Sequence, residues 1–464
     1  MADADVRSLL HHTAELAGAY LTTLDRGPVG HQSSRDELRE ALAGPVPEEG
    51  AEPVRVVEEL VRDVSGGLLN SAGGRFFGWA IGGTVPAALA ADWLTSAWDQ
   101  NAALYACSPA AAVVEEVCGA WLLELLGLPA GASVAFVTGT QLAHVTALAA
   151  ARGKLLRERG WDVERQGLSG APPIRVLTAG HQHGSIDRAV RVLGLGTESI
   201  RAVGADARGR IDLAGLEREL RSGDVPTIVC LQAGNLDTGE FDPFEPACLL
   251  AREHGAWVHV DGAFGLWAAV SPQHRELLAG VALADSWTTD GHKWLNLPFD
   301  SGFAIIAHPA AHRAAMSFRA GYLIHADEAR DQLDWNPEWS RRARGFACYA
   351  AIRSLGRQGL QDLVERCCAH AERLVTEIGA LPGAEILSGP RLNQGLVRFR
   401  AADGAHDHRT DAVIARIQGE GTTWFGGTTW NGVRAMRVSV LNWRTTERDV
   451  ERAIAAVRAA LSHH

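Results

Sequence analysis

Residues 284–307 read ADSWTTDGHKWLNLPFDSGFAIIA, and the reading of this stretch decides the fold. Two short apolar runs, ADSWTT (284–289) and GFAIIA (302–307), flank a polar turn that carries Lys293. Lysine stands at only two positions in the chain, Lys154 and Lys293, and arginine supplies almost all other positive charge. One of two lysines at the end of an apolar strand needs a reason. Working outward, runs of the same kind recur at SVAFV (133–137), IRVLT (174–178), SIRAV (199–203), TIVCLQ (227–232) and AWVHV (256–260), with longer helical patterns between them. Continuous apolar runs separated by helices mark strands covered on both faces, as in a mostly parallel α/β sheet. Seven such strands fit one large domain.

Beyond about residue 345 the pattern changes to a long helix in two parts, ARGFACYAAIRSLG then LQDLVERCCAHAERLVTEI. Short strands follow (AEILS, LVRFR, TTWF, MRVSVL), and a last helix, ERDVERAIAAVRAAL, makes this a smaller α+β domain. At the other end, DVRSLLHHTAELAGAYLTTL patterns as an amphipathic helix, and a polar stretch ending in GPVPEEGAEP reads as a linker. The expected division is an N-terminal helical wrapping segment 1–75, a large domain 76–344 and a small domain 345–464.

With 44 basic and 55 acidic residues the 464-residue chain has a net charge of −11, and no basic patch is concentrated enough to suit nucleic acid. RRAR at 341–344 reads as a solvated helix face. No run of 18 apolar residues suggests a membrane span, and the N-terminus is acidic rather than a leader. Seven scattered cysteines without a CxxC argue against both a disulfide framework and a zinc site, so no metal is expected and a reducing cytoplasm is.

In open α/β sheets ligands bind beyond the carboxyl ends of the strands. Neither GxxxxGK[ST] nor a strand-linked GxGxxG occurs there. After SVAFV comes TGTQLAHV, where Thr138, Gly139 and Thr140 lead into a helix N-terminus suited to a phosphate. IRVLT is followed by AGHQHGS, whose His183 suits a ring stacked on a planar ligand. After AWVHV, Asp261 stands beside the small Gly262 and Ala263, and a buried carboxylate in that place needs a cationic partner. Lys293 completes the rim. A phosphate cradle, a stacking histidine, a buried aspartate and a lone lysine in this chain order describe a pyridoxal phosphate site. In it Lys293 holds the aldehyde as a Schiff base and Asp261 pairs with the pyridinium nitrogen.

These residues resemble the group II pyridoxal-phosphate-dependent amino acid decarboxylases. RFFGWAIGGTVP (75–86), CSPAAAVVEEVCGAWLLELLGLP (107–129), FVTGTQLAHVTALAAAR, HGSIDRA, HVDGAFG, HKW, FRAGYL, WSRRARGFACYAAIRSLGRQGL and MRVSVLNWRTTERDV are similar to that family's blocks over roughly 75–455. The resemblance implies an aspartate aminotransferase-like fold (pyridoxal phosphate fold type I). It also implies a homodimer with shared active sites and decarboxylation of an L-amino acid to the amine. Other chemistry on the same scaffold, a carbon–carbon lyase or an oxygen-dependent aldehyde-forming decarboxylation, is the alternative. On this resemblance Lys293 and His183 are catalytic, and Thr138, Gly139, Thr140, Gln141, His183, Asp261, Ala263, His292 and Lys293 bind the cofactor. Trp79, Trp430 and Arg437 are the expected substrate contacts, with Trp98, Trp424 and Phe425 as further pocket aromatics. An apolar or aromatic substrate side chain follows if they line it. Three departures stand out: His144 replaces a usual Asn, Asn235 a usual Thr, and Gln332 the usual loop tyrosine, leaving Tyr322 the one tyrosine near that loop.

Overall fold

The computed structural model describes residues 3–318 and 329–462. All seven expected strands of the large sheet form: β1 Ser133–Val137, β2 Arg175–Thr178, β3 Ile200–Ala202, β4 Thr227–Gln232, β5 Trp257–Asp261, β6 Ser286–Asp290 and β7 Gly302–Ile306. They lie in the order β1-β7-β6-β5-β4-β2-β3. Neighbours pair in parallel from β6 through β5, β4 and β2 to β3, whereas β7 runs antiparallel to both β1 and β6. Successive side chains point to opposite faces, so one strand feeds two cores. Val134 and Phe136 join Val229, Leu231, Val258 and Val260 on one face, and Ala135 and Val137 join Ile228, Cys230 and Trp257 on the other. This double burial explains why the strands read as unbroken apolar runs.

A second, antiparallel sheet forms the smaller C-terminal unit, from β8 Ala384–Arg391, β9 Gln394–Phe399, β10 Gly426–Trp430 and β11 Val433–Ser439 in the order β10-β11-β9-β8. The expected strand TTWF lies just ahead of β10, outside the ladder, where Trp424 bridges instead to Phe76. The helix Gly345–Gly379 crosses between the two units and breaks helical geometry at Gly356, which takes φ 61°. That residue is where the two apolar patterns of the sequence separate.

The N-terminal helix forms at Asp3–Thr23, but the polar stretch after it is more than a linker. It holds a helix Arg35–Leu42, started by Ser34 and Glu37 in a reciprocal capping box, and its last residue, Pro53, opens a helix Pro53–Val64. RRAR also departs from a solvated helix face. Arg341 is buried against Glu115 (Nη1 to Oε1, 2.8 Å), Arg342 pairs with Asp92, and Arg344 pairs with Asp300 and Glu338. The run is a set of internal ties ahead of the long helix.

Candidate active site

Strand register brings the site together. Gln232 on β4 aligns with Asp261 on β5, and Asp261 with Thr288 on β6, while Asp290 and Val137 both align with Gly302 on β7. The residues that follow the carboxyl ends of β1, β4, β5 and β6 therefore share one edge of the sheet. They surround a cavity of about 360 Å³ lined by Thr138, Gly139, Thr140, Gln141, His183, Asp261, Ala263, His292 and Lys293, with Trp79 at its rim.

At one end of the cavity the helix Thr140–Glu158 begins, with Gly139 as its N-cap. Gly139 takes φ 142°, and a Cβ there would sit 3.0 Å from His292 Cε1, so the cradle has room only for glycine. Thr140 Oγ1 is buried and has no hydrogen-bond partner among the described residues, while the Thr140 amide donates to Asp290 Oδ1 at 2.6 Å. An unpartnered hydroxyl at the start of a 19-residue helix is a ready donor to a phosphate oxygen.

Asp261 sits on the cavity floor, and its Oδ1 accepts the Ala263 amide at 3.1 Å. Burial pushes its carboxyl up, but His144, His183 and Lys293 together outweigh that and hold it well below the ordinary carboxylate range. The group is an anion facing the cavity.

His183 caps the helix Gly184–Val192, its Nδ1 accepting the Ser185 amide at 3.2 Å and contacting Ser185 Oγ at 2.7 Å. An amide can only donate, so Nδ1 carries no proton and the neutral ring carries it on Nε2. Burial holds His183 below the ordinary histidine value, with Asp261 opposing the shift and Lys293, His144 and Arg437 adding to it. Lys293 Nζ is 3.2 Å from Asp290 Oδ2 and 5.8 Å above the Phe264 ring. The lysine's backbone is fixed from below, since a Cβ on Gly82 would strike the Lys293 carbonyl oxygen. Asn296, fully buried at φ 51°, accepts the Gly83 and Trp443 amides and donates to the Leu441 carbonyl.

Residues 37–402 match the model of the pyridoxal-dependent decarboxylase conserved domain. The chain belongs to this family. As a member of it, it is 30% identical over 351 residues to the acidic amino acid decarboxylase GADL1 of Homo sapiens, covering 74% of this chain and 66% of that protein. It is also 30% identical over 391 residues to the L-2,4-diaminobutyrate decarboxylase of Rhizobium meliloti (strain 1021), covering 81% and 76% respectively. The match thus spans slightly under two thirds of the human relative's length. Among solved structures, Oryza sativa TDC with PLP and tryptamine superposes at a TM-score of 0.93 with 24% identity, over 100% of this chain and 98% of that one.

The residues of this family member fit pyridoxal phosphate on their own terms: an orphaned Thr140 hydroxyl at a helix start, an ionised Asp261, and the Lys293 amine share one cavity. Sequence reasoning missed Asp290, Gln232, Gly234, Leu236, Phe264 and Ser185, which also line it. Asp290 had a signal, an acidic residue at a strand end three positions before the lysine. Trp430 and Arg437 are absent from the lining. Trp430 packs with Leu396 and Ala435 and meets His181 at 4.7 Å between ring centroids. Arg437 is buried on β11 near Asp237, which opposes the downward push of burial on its guanidinium. Trp424 backs Trp79 at 4.4 Å, Phe425 stacks on Phe77, and Trp98 meets Phe346 on the surface. Trp79 and Ala80 both hold positive φ, a cost that places the indole at the rim. Gln332 is buried in a short turn of helix, donating toward the Ala112 carbonyl, and Tyr322 lies outside the described residues. Asn235 forms a turn, its Oδ1 accepting the Asp237 and Thr238 amides.

Proposed function

We propose that the protein is a pyridoxal-phosphate-dependent carboxy-lyase that removes carbon dioxide from an L-amino acid and releases the amine. The observation that carries this reading is the meeting of Lys293 Nζ, the Asp261 carboxylate, the His183 ring and the Thr140 hydroxyl in one cavity. Bound there, pyridoxal phosphate supplies an electron sink for the carbanion left when carbon dioxide departs. Lys293 would hold the cofactor through Nζ, which lies 3.2 Å from Asp290 Oδ2. Asp261 would pair with the ring nitrogen and favour its protonated form. Thr140 and the free donors of its helix bind the phosphate, and Gly139 gives them room. His183 presents the Nε2 proton to the cavity, in place to return a proton to the substrate α-carbon.

The wall suits an apolar or aromatic substrate side chain. Trp79, Leu236 and Phe264 line the cavity, and among the described residues no arginine does. An acidic side chain would have little to pair with once Lys293 is engaged. Arg437, near enough to His183 to help lower its proton affinity, is a proposed contact for the substrate carboxylate.

The functional unit is proposed to be a homodimer. Trp93, Leu94 and Trp98 on the helix Pro86–Trp98 are exposed together with Val113, Phe299 and Tyr349, more large apolar surface than solvent favours. A cytoplasmic location agrees with seven free cysteines. Among the described residues no helix is long and apolar enough to cross a membrane. A screen of the common L-amino acids with added cofactor, reading amine and carbon dioxide together, tests the function. Equal amounts of both from an aromatic or apolar substrate support it; absence of carbon dioxide release from every substrate would refute it.

A further inference from the structure

Next to Asp261, and outside the cavity lining, a row of buried polar groups crosses the sheet. Trp257 Nε1 donates to Ser286 Oγ at 2.9 Å, and Ser286 Oγ is 2.8 Å from His259 Nδ1. His259 Nε2 is 2.9 Å from His144 Nδ1, and His144 Nε2 points at Asp261 Oδ2 from 3.5 Å. All four residues are buried, and His144 Nε2 has no other hydrogen-bond partner among the described residues.

The ends of this row dictate its direction. An indole N–H can only donate and an ionised carboxylate can only accept, a neutral imidazole does one of each, and a hydroxyl donates once and accepts up to twice. One assignment serves every link. The Ser286 hydroxyl donates to His259 Nδ1, His259 Nε2–H donates to His144 Nδ1, and His144 Nε2–H faces Asp261. Reversal would set a nitrogen lone pair against the carboxylate and give Ser286 two donors while its own hydrogen loses its acceptor. Burial, reinforced by His144, pushes His259 down to about 3, so that ring is neutral at ordinary pH. The 3.5 Å approach is long for a hydrogen bond, yet a dipole aimed at a charge in a water-free site acts at that range.

We propose that Trp257, Ser286, His259 and His144 form one directional hydrogen-bond chain that presents an N–H to Asp261, a positioning device that keeps this carboxylate the ionised partner of the cofactor's ring nitrogen. The proposal rests on the role given to Asp261 above. The other groups facing Asp261 are His183 from its helix, Lys293 from the turn after β6, and the Cys230 thiol from β4, whose own ionisation Asp261 opposes. Lys293 and His183 belong to the cavity side. The chain is what this protein places on the other.

The test uses pyridoxal phosphate labelled with ¹⁵N in its ring, bound to the full-length protein, reading dissociation constant and ring-nitrogen protonation by solid-state NMR. His144→Leu keeps the volume and removes the N–H, and should raise the dissociation constant about tenfold and shift the ring nitrogen toward its unprotonated signal. His144→Asn should restore both to within about threefold, because its amide oxygen accepts from His259 and its NH₂ donates to Asp261. Ser286→Ala breaks the chain two links from the carboxylate, so a smaller shift of both readouts in the same direction is expected. Should His144→Leu fail to fold, the contrast between Ser286→Ala and His144→Asn decides. Wild-type affinity and a protonated ring nitrogen in His144→Leu and Ser286→Ala alike would overturn the chain while leaving the function intact. A wild-type protein that does not bind the labelled cofactor would overturn the function, and the chain's role with it.

Discussion

Acidification should destabilise this protein across the histidine range, and two buried histidines set most of the effect. His259 and His312 are fully buried and pushed down to about 3 by burial, with His144 adding to the shift on His259 and Arg330 to that on His312. His312 bonds through both ring nitrogens, to Ser133 Oγ at 2.8 Å and to the Trp335 carbonyl at 2.8 Å. In the unfolded chain both rings take up a proton near pH 6.5, while in the native state they stay neutral until about pH 3. Between those values the unfolded state binds more protons, so stability rises with pH and is lost as pH falls. At pH 5 the difference is about 1.5 units, worth about 2 kcal/mol for each ring. His183, His274, His292 and His370 are shifted in the same direction and add to it. Asp242, buried and pushed up to about 6, gains its proton over the same range and offsets about 1.4 kcal/mol, so urea unfolding of cofactor-free protein at pH 7.5 and pH 5 should show a net loss of about 3 kcal/mol. His312→Gln should shrink the pH-dependent part by about 2 kcal/mol whatever it does to stability at pH 7.5. Equal stability at the two pH values, or an unchanged difference in the variant, would refute the reasoning.

Asp261→Asn keeps the shape and removes the charge, so cofactor affinity should fall about 10- to 100-fold in a fluorescence titration, the worth of one charge-assisted hydrogen bond. Arg341→Met strands Glu115, which is 2% exposed, and should cost about 3–5 kcal/mol in urea unfolding. Removing residues 1–45 should weaken dimerisation and cofactor retention together, read by sedimentation and by absorbance of the bound cofactor; a stable dimer with full cofactor would detach the N-terminal segment from both.

Much of this architecture was legible in the sequence, for a physical reason. A strand covered on both faces must be apolar throughout, so SVAFV, TIVCLQ and AWVHV announce themselves, and chemistry at their carboxyl ends follows from the geometry of parallel sheets. Thr138, Gly139, Asp261 and Lys293 were found in that way and meet in one cavity. What stayed hidden depends on register. Asp290 reaches both Lys293 and the Thr140 amide only because β6 ends beside the helix start, and the His144–His259 contact joins residues 115 positions apart. The RRAR run misled because a charge gives no local sign of a buried partner such as Glu115. Trp430 is a pocket candidate only through the family resemblance of its segment, whereas β10 packs it with Leu396 and Ala435 in the small sheet's core. The helix Arg35–Leu42 was overlooked although Ser34 and Glu37 spell out its cap.

The central claim is that Lys293 is the residue that holds pyridoxal phosphate. Borohydride reduction of the protein with its cofactor, followed by proteolysis and mass mapping, tests it most directly. The account predicts a phosphopyridoxyl group on Lys293 in the wild type and its loss in folded Lys293→Ala. A group on Lys154, or an adduct that persists in the variant, would contradict it.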